Sequence, residues 1–245
     1  MKTVYQKNEL LQGESKFCPG CGHGIVNKLI AEVLSENGWA GKAIECLCIG
    51  CAINMTEYVN WDILACPHGR AAAVATGVSR VNKDAVVFTY QGDGDAGGIG
   101  LAETFHAASR GEGFVQIVVN NQIYGMTGGQ TSCMTLVGQK TTTSGPNGRD
   151  PEKNGYPTHL AEALAPIEAA GLVARCAVHS PKEIIRTKKI LERAFRLQQE
   201  QHKYSYVEIV SMCPTDLHMP ADKMPAYIQN TVLPVFPVGE FKTEG

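Results

Sequence analysis

Two apolar runs, each stopping abruptly at a polar turn, constrain this chain more than any other feature. Ala85 to Tyr90 is apolar and β-branched and ends at Gly92-Asp93-Gly94-Asp95. Phe114 to Val119 repeats the pattern and ends at Asn120-Asn121. The 25 residues between Gly94 and Asn120 (95–119) leave room for one strand–helix–strand unit, with the helix over about 98–109. Such a unit makes its two strands parallel and sets their carboxyl ends side by side, where ligands of open α/β sheets bind.

The rest of the chain keeps the same rhythm. Ile25, Val26, Leu29, Ile30, Val33 and Leu34 share one face of a helix over about 24–37, with Gly38 just past its end. Ala43 to Ile49 reads as a buried strand leading into Gly50-Cys51, and a small-residue helix follows over about 70–81. Leu172 to Val178 and Tyr204 to Val210 read as two more strands. Between them Ser180-Pro181-Lys182-Glu183 is a capping box with Pro at the first helical position, opening a helix that runs to about 201. The expectation is an α/β fold: a mostly parallel, doubly wound sheet covered on both faces. Residues 1–245 read as one domain. Within it, 125–160, rich in Gly, Thr, Ser and Pro, reads as an active-site loop, and 214–245 as a tail packing on a surface or a partner.

Composition excludes several function classes. A net charge of −2 builds no basic field for nucleic acid. No apolar run is long enough to span a membrane, and Met1 to Gln12 shows no signal-peptide core, so a cytoplasmic location is expected. In that setting nine cysteines point to metal or redox chemistry rather than disulfides.

Gly-Asp-Gly alone fits any acidic turn. Its position does more. Mg²⁺ takes an octahedron of oxygens, few of them from protein and the rest from phosphate and water. The Asp93 carboxylate, the Asn121 amide oxygen and a nearby carbonyl meet that demand. The glycines admit a close approach, and the helix start after Asp95 offers amide donors to an anion. Cys18-Pro19-Gly20-Cys21 is a C-x-x-C, open to readings as a zinc half-site, a redox pair or part of an iron–sulfur site. Cys51 and Cys213 raise the count to four, which suits Cys₄ zinc and a [4Fe–4S] cluster equally.

Taken in order, six motifs resemble one family. They are Cys18-Pro-Gly-Cys21-Gly22, Ile49-Gly50-Cys51, His68-Gly69-Arg70, Gly92-Asp93-Gly94-Asp95, Asn120-Asn121-Gln122-Ile123-Tyr124-Gly125-Met126-Thr127-Gly128-Gly129-Gln130, and Cys213-Pro214-Thr215. The set resembles the β subunit of 2-oxoacid:ferredoxin oxidoreductases over about 15–220, nearest to the 2-oxoglutarate and branched-chain 2-oxoacid types. The resemblance implies a thiamine diphosphate-binding fold. It implies Mg²⁺ held by Asp93, Asn121 and the Ile123 carbonyl, and a [4Fe–4S] cluster on Cys18, Cys21, Cys51 and Cys213. Cofactor contacts would come from Cys51, His68, Gly92, Asp93, Gly94, Asp95, Asn121, Ile123, Tyr124, Gly125, Met126 and Thr127, with Gln130 a further candidate toward the diphosphate. His68, otherwise a helix-cap histidine, becomes the catalytic candidate. Cys46 and Cys48 read as core thiols on one face of a strand, and Cys66, Cys133 and Cys176 as structural. The family often continues its Gly-Gly-Gln with Ser-Pro-Thr or Ala-Pro-Thr. Thr131-Ser132-Cys133-Met134-Thr135 departs from this and unsettles the substrate assignment.

The activity the resemblance implies is CoA-dependent oxidative decarboxylation of a 2-oxoacid to acyl-CoA and CO₂. Electrons would pass through the cluster to ferredoxin. Only the diphosphate half of a thiamine site is legible, so an α subunit is expected to carry the aminopyrimidine half, with small γ or δ subunits as further partners. Two other readings compete. A non-redox thiamine diphosphate decarboxylase subunit leaves four cysteines without a task, and a zinc or electron-transfer module leaves Asp93 and Asn121 unexplained.

Overall fold

The computed structural model describes residues 7–243. The first six and last two residues, covered by the one-domain reading and by the expectations on the leader and the tail, lie outside it. In chain order the elements are α1 (His23–Glu36), β1 (Ala43–Leu47), β2 (Asp62–Ala65), α2 (Ala71–Val81), β3 (Val86–Gly92), α3 (Leu101–Arg110), β4 (Val115–Asn120), α4 (Pro151–Asn154), α5 (Leu160–Leu164), β5 (Ala170–Ala177), α6 (Pro181–Gln201), β6 (Tyr204–Val210), α7 (Met224–Tyr227) and β7 (Gly239–Lys242). The strands form one sheet in the order β2-β1-β3-β4-β6-β5-β7. Every pairing is parallel except β5 with β7.

Strands β4, β5 and β6 are buried at every position, which needs cover on both faces. Successive side chains show where the cover lies. Tyr90 points to α1, where its hydroxyl meets His23 Nδ1 at 2.6 Å. Its neighbour Gln91 points the other way and joins, through Gln116, to Thr104 of α3. Phe88, on the Tyr90 face, packs edge-to-face on Phe195 of α6. One face is thus closed by α1 and α6, the other by α2 and α3.

Register places the site. Gly92 at the end of β3 lies opposite Val119, and Asn120 at the end of β4 lies opposite Val210 of β6. Asp93, Asn121 and Ser211 therefore leave three adjacent strands at one edge. The helix expected over 98–109 begins differently. Asp95–Ile99 is a π-helical turn, closed by Gly100 N donating to Asp95 O at 2.8 Å, and the α-helix starts only at Leu101. Two glycines in Asp95-Ala96-Gly97-Gly98 weaken the α form there.

β2 and β7 have no counterpart in the sequence reading. Each is a four-residue edge strand, too short to show a period. The tail after Cys213 packs on the chain's own body: Met224, Ile228, Val232 and Phe236 are fully buried, and β7 pairs with β5. Among the described residues no helix is long and apolar enough to cross a membrane.

Candidate functional site

All twelve residues named above as cofactor contacts line a single cavity at the carboxyl edge of β1, β3 and β4, joined by His23, Ile49, Gly50 and Ala52. Gln130 is not on its wall. Its amide is turned to Thr127, whose carbonyl accepts from Nε2 at 2.8 Å. The Tyr124–Gln130 stretch closes on itself as a small loop, with Tyr124 N donating to Gln130 O at 3.0 Å and Gly129 N to Tyr124 O at 2.9 Å. That closure spends the Gln130 side chain on the loop rather than on a ligand.

Three oxygens converge at the strand ends. The outer atom of the Asn121 amide stands 3.1 Å from Asp93 Oδ1 and 2.8 Å from Ile123 O. With nitrogen at that point the amide donates to both. With oxygen there, that atom stands from each of the two other acceptors at about the spacing of an octahedral edge, which Mg–O distances of 2.0–2.1 Å set at about 2.9 Å. A bound cation would select the second orientation, and the residues fit Mg²⁺. Asp93 is 1% exposed. Burial is the chief cause that pushes its carboxyl up to about 7, against hydrogen bonds from Ser132 and from the Gly94 backbone that work downward. A buried carboxylate that is costly to ionise alone is well suited to a cation.

The turn that carries Asn121 is held from behind. Asn120 Nδ2 donates to Glu208 Oε1 at 2.7 Å. Gln122 takes a left-handed φ of 60°, and its amide donates to Asn120 O and Oδ1 at 2.6 and 3.0 Å. Thr135 and Gln139 donate to its carbonyl. Gly94 is set by close packing, since a Cβ there would enter the Tyr124 ring, whose hydroxyl donates to Gly94 O at 2.8 Å.

The loop over 125–160 supplies contacts that the sequence did not reveal. Ser132 Oγ donates to Asp93 Oδ2, and the Cys133 thiol reaches Asp93 O at 3.4 Å. Cys133, read as structural, therefore sits against the Gly92-Asp93-Gly94 turn. Arg149 holds this loop together. Its guanidinium donates to the carbonyls of Ser132, Cys133, Thr135, Asn154, Gly155 and Tyr156.

His68 is a third exposed and lines the cavity. Its Nδ1 is engaged by Asp95 Oδ1, which also accepts from Gly69 N at 2.7 Å. Asp95 Oδ2 accepts from Gln91 Nε2 at 2.5 Å, and Gln91 leans on Thr89 and Gln116. A buried polar chain through the sheet thus fixes the imidazole and leaves Nε2 as its remaining polar atom.

Cys18, Cys21, Cys51 and Cys213 come from three separate segments. The Cys18–Cys21 turn is tied to the end of β6 by Gly22 N donating to Met212 O at 3.1 Å. A Cβ on Gly20 would stand 2.5 Å from Ala221 Cβ. Burial first, and then the charges of Cys51, Cys18 and Asp216, push the Cys21 thiol up to about 12. Burial, and then Asp216 and Cys18, push Cys51 up to about 11. Cys213 is raised by burial, Asp216 and Cys21. The four thiols thus share one electrostatic neighbourhood, and a metal that binds thiolates would relieve their cost of ionisation. Cys46, Cys48, Cys66 and Cys176 are buried in the core.

Residues 48–209 match the family described as thiamine pyrophosphate enzyme, C-terminal TPP binding domain. Ketoisovalerate oxidoreductase subunit VorA of Methanothermobacter thermautotrophicus is 43% identical over 92% of this chain and 47% of its own length. 2-Oxoglutarate synthase subunit KorB of Archaeoglobus fulgidus is 34% identical over 89% of this chain and 76% of its own. A solved 2-oxoglutarate:ferredoxin oxidoreductase from Magnetococcus marinus, with 2-oxoglutarate, coenzyme A and succinyl-CoA bound, superposes with a TM-score of 0.73 at 26% identity, covering 87% of this chain and 69% of that one. Fold and site together define a thiamine pyrophosphate-binding domain. More narrowly, the chain belongs to the 2-oxoacid:ferredoxin oxidoreductase subunits that carry that domain, and it spans about half the length of its ketoisovalerate relative.

Proposed function

We propose that this chain is the thiamine diphosphate- and cluster-bearing subunit of a cytoplasmic, CoA-dependent 2-oxoacid:ferredoxin oxidoreductase. It would convert a 2-oxoacid to acyl-CoA and CO₂ and deliver electrons to ferredoxin. The observation that carries this reading is the Asn121 amide standing 3.1 Å from Asp93 Oδ1 and 2.8 Å from Ile123 O, in the same cavity as Cys51 and His68. Asp93, Asn121 and Ile123 would hold Mg²⁺ and through it the diphosphate. Tyr124 to Thr127 would line the thiazolium side. His68, oriented by Asp95, would hold or move a proton through Nε2. The cofactor itself would supply carbanion chemistry, the protein position and electrostatics.

Cys18, Cys21, Cys51 and Cys213 would hold a [4Fe–4S] cluster. Four thiolates suit a Cys₄ zinc site equally, and the likeness to 2-oxoacid:ferredoxin oxidoreductase subunits favours the cluster. The aminopyrimidine half of the cofactor site is assigned to a partner α subunit, and small γ or δ subunits would complete the assembly. For substrate, the higher identity to the ketoisovalerate subunit than to the 2-oxoglutarate subunit favours a branched-chain 2-oxoacid.

Anaerobic viologen reduction by the co-purified complex, with CoA and a panel of 2-oxoacids, tests this. CoA-dependent reduction is expected, fastest with 2-oxoisovalerate. CO₂ release without viologen reduction, from a complex lacking iron and acid-labile sulfide, would instead identify a non-redox decarboxylase.

A further inference from the structure

Asp216 lies three residues beyond Cys213 and has no part in the roles above. The Cys213 thiol donates to its Oδ2 at 3.2 Å. The carboxylate also reaches across to the cofactor loop. A Cβ built on Gly125 would stand 2.9 Å from Asp216 Oδ2, 3.2 Å from Cys51 Sγ and 3.7 Å from Cys213 Sγ. A Cβ built on Gly129, on the same loop, would stand 3.4 Å from Asp216 Cβ. One carboxylate and two sulfurs therefore crowd the space that the bare Gly125 leaves open, between the cofactor cavity and the cysteine centre.

We infer that Asp216 sets the reduction potential of the iron–sulfur centre, holding it low by placing a carboxylate against the Cys213 ligand sulfur, beside the space that Cys51 also faces. The inference rests on the cluster reading proposed above. Loading iron removes the Cys213 thiol proton, so the hydrogen bond seen here becomes a contact of carboxylate with thiolate. Reducing the centre then adds one electron and neither forms nor breaks a bond. The added negative charge is opposed by the carboxylate beside it. Net charge and hydrogen bonds at the sulfurs are the main protein controls on such potentials. A unit charge at this range, incompletely screened, shifts a one-electron equilibrium by about tenfold or more. The Asp216→Asn side chain removes the charge and presents an amide donor to the same sulfur, and both changes favour reduction.

The test is an anaerobic redox titration of the purified complex with dithionite, followed by electron paramagnetic resonance, alongside iron and acid-labile sulfide analysis. Asp216→Asn should bind wild-type iron and sulfide and make reduction at least about tenfold easier, a rise of about 59 mV or more for one electron. Asp216→Glu, which keeps the charge, should stay within about a third of that shift. If Asp216→Asn assembles poorly, Asp216→Ser carries the same threshold. A neutral variant with wild-type iron content and an unchanged potential would overturn the inference, whereas a purely structural role would lower iron content without moving the potential of the centres that remain. Absence of iron and sulfide from the wild-type complex would defeat the cluster reading itself and the inference with it, and the metal analysis tells these failures apart.

Discussion

Burial raises both Asp93 and Glu45, at sites of different use. Asp93 is buried beside the Asn121 amide, whose outer atom is donor or acceptor according to its orientation. Replacing Asp93 with Asn removes a costly group, so Asp93→Asn should unfold at a temperature equal to or above wild type while losing at least about tenfold in Mg²⁺-dependent cofactor affinity, as read by calorimetry. Glu45 on β1 is fully buried with one partner, Trp61 Nε1 at 2.7 Å, and burial is the main cause that pushes it up to about 8. An acid whose folded pKa is raised binds its proton more tightly when folded. Its contribution to stability is complete below the unfolded value of about 4.5 and is lost as pH rises to about 8. Glu45→Gln removes that loss. Its stability relative to wild type should therefore rise between pH 5 and pH 8, by a few kcal/mol at most. Thermal unfolding at several pH values checks this, and a flat difference would show that Glu45 is already ionised in the fold.

Among the elements, the long loop shows what a sequence hides. The ends of β3 and β4 were legible because each apolar run stops within two residues of its polar turn, and the 25-residue spacing fixes their adjacency. Ser132 and Arg149 were not legible. Ser132 lies 39 residues from Asp93, and Arg149 stands in a Gly-Arg-Asp tract with no local pattern to announce six carbonyl partners. Gln130 misled for the opposite reason: its place in the motif suggested a ligand contact, and the tight turn claimed its amide. The π-helical start to the helix after Asp95 and the two short edge strands also depend on tertiary packing rather than on local period. At this scale Arg149→Lys keeps the charge but cannot reach all six carbonyls. It should cost about 3 kcal/mol in denaturant unfolding and speed amide hydrogen exchange over 131–156. Unchanged exchange there would mean that other contacts hold the loop.

Across the whole molecule, one buried ion pair links the sheet to the site. Arg175 of β5 and Glu208 of β6 are both fully buried, with Nε to Oε1 at 2.7 Å, and Arg175 also binds Glu162. Phe236 and Phe241 of the tail each lie 5.1 Å from its guanidinium carbon. Glu208 in turn holds Asn120, next to Asn121 on the cavity wall. The docked tail is thus coupled to the cofactor edge through paired charges, an arrangement invisible to composition or period. Arg175→Met should leave the buried Glu208 without its cation and cost about 3–5 kcal/mol, read as a lower urea midpoint of the complex. Arg175→Met combined with Glu208→Leu should recover part of that loss.

On this reading Asp93, Asn121 and Ile123 form the cation end of a diphosphate site, and the four cysteines hold a different metal centre beside it. The reading is tested most directly by measuring thiamine diphosphate, Mg²⁺, iron and sulfide in the anaerobically purified complex, for wild type and for Asp93→Ala. About one thiamine diphosphate and one Mg²⁺ per chain are expected in wild type, and loss of both in Asp93→Ala with iron and sulfide unchanged. Equal thiamine diphosphate and Mg²⁺ in the two proteins would contradict it.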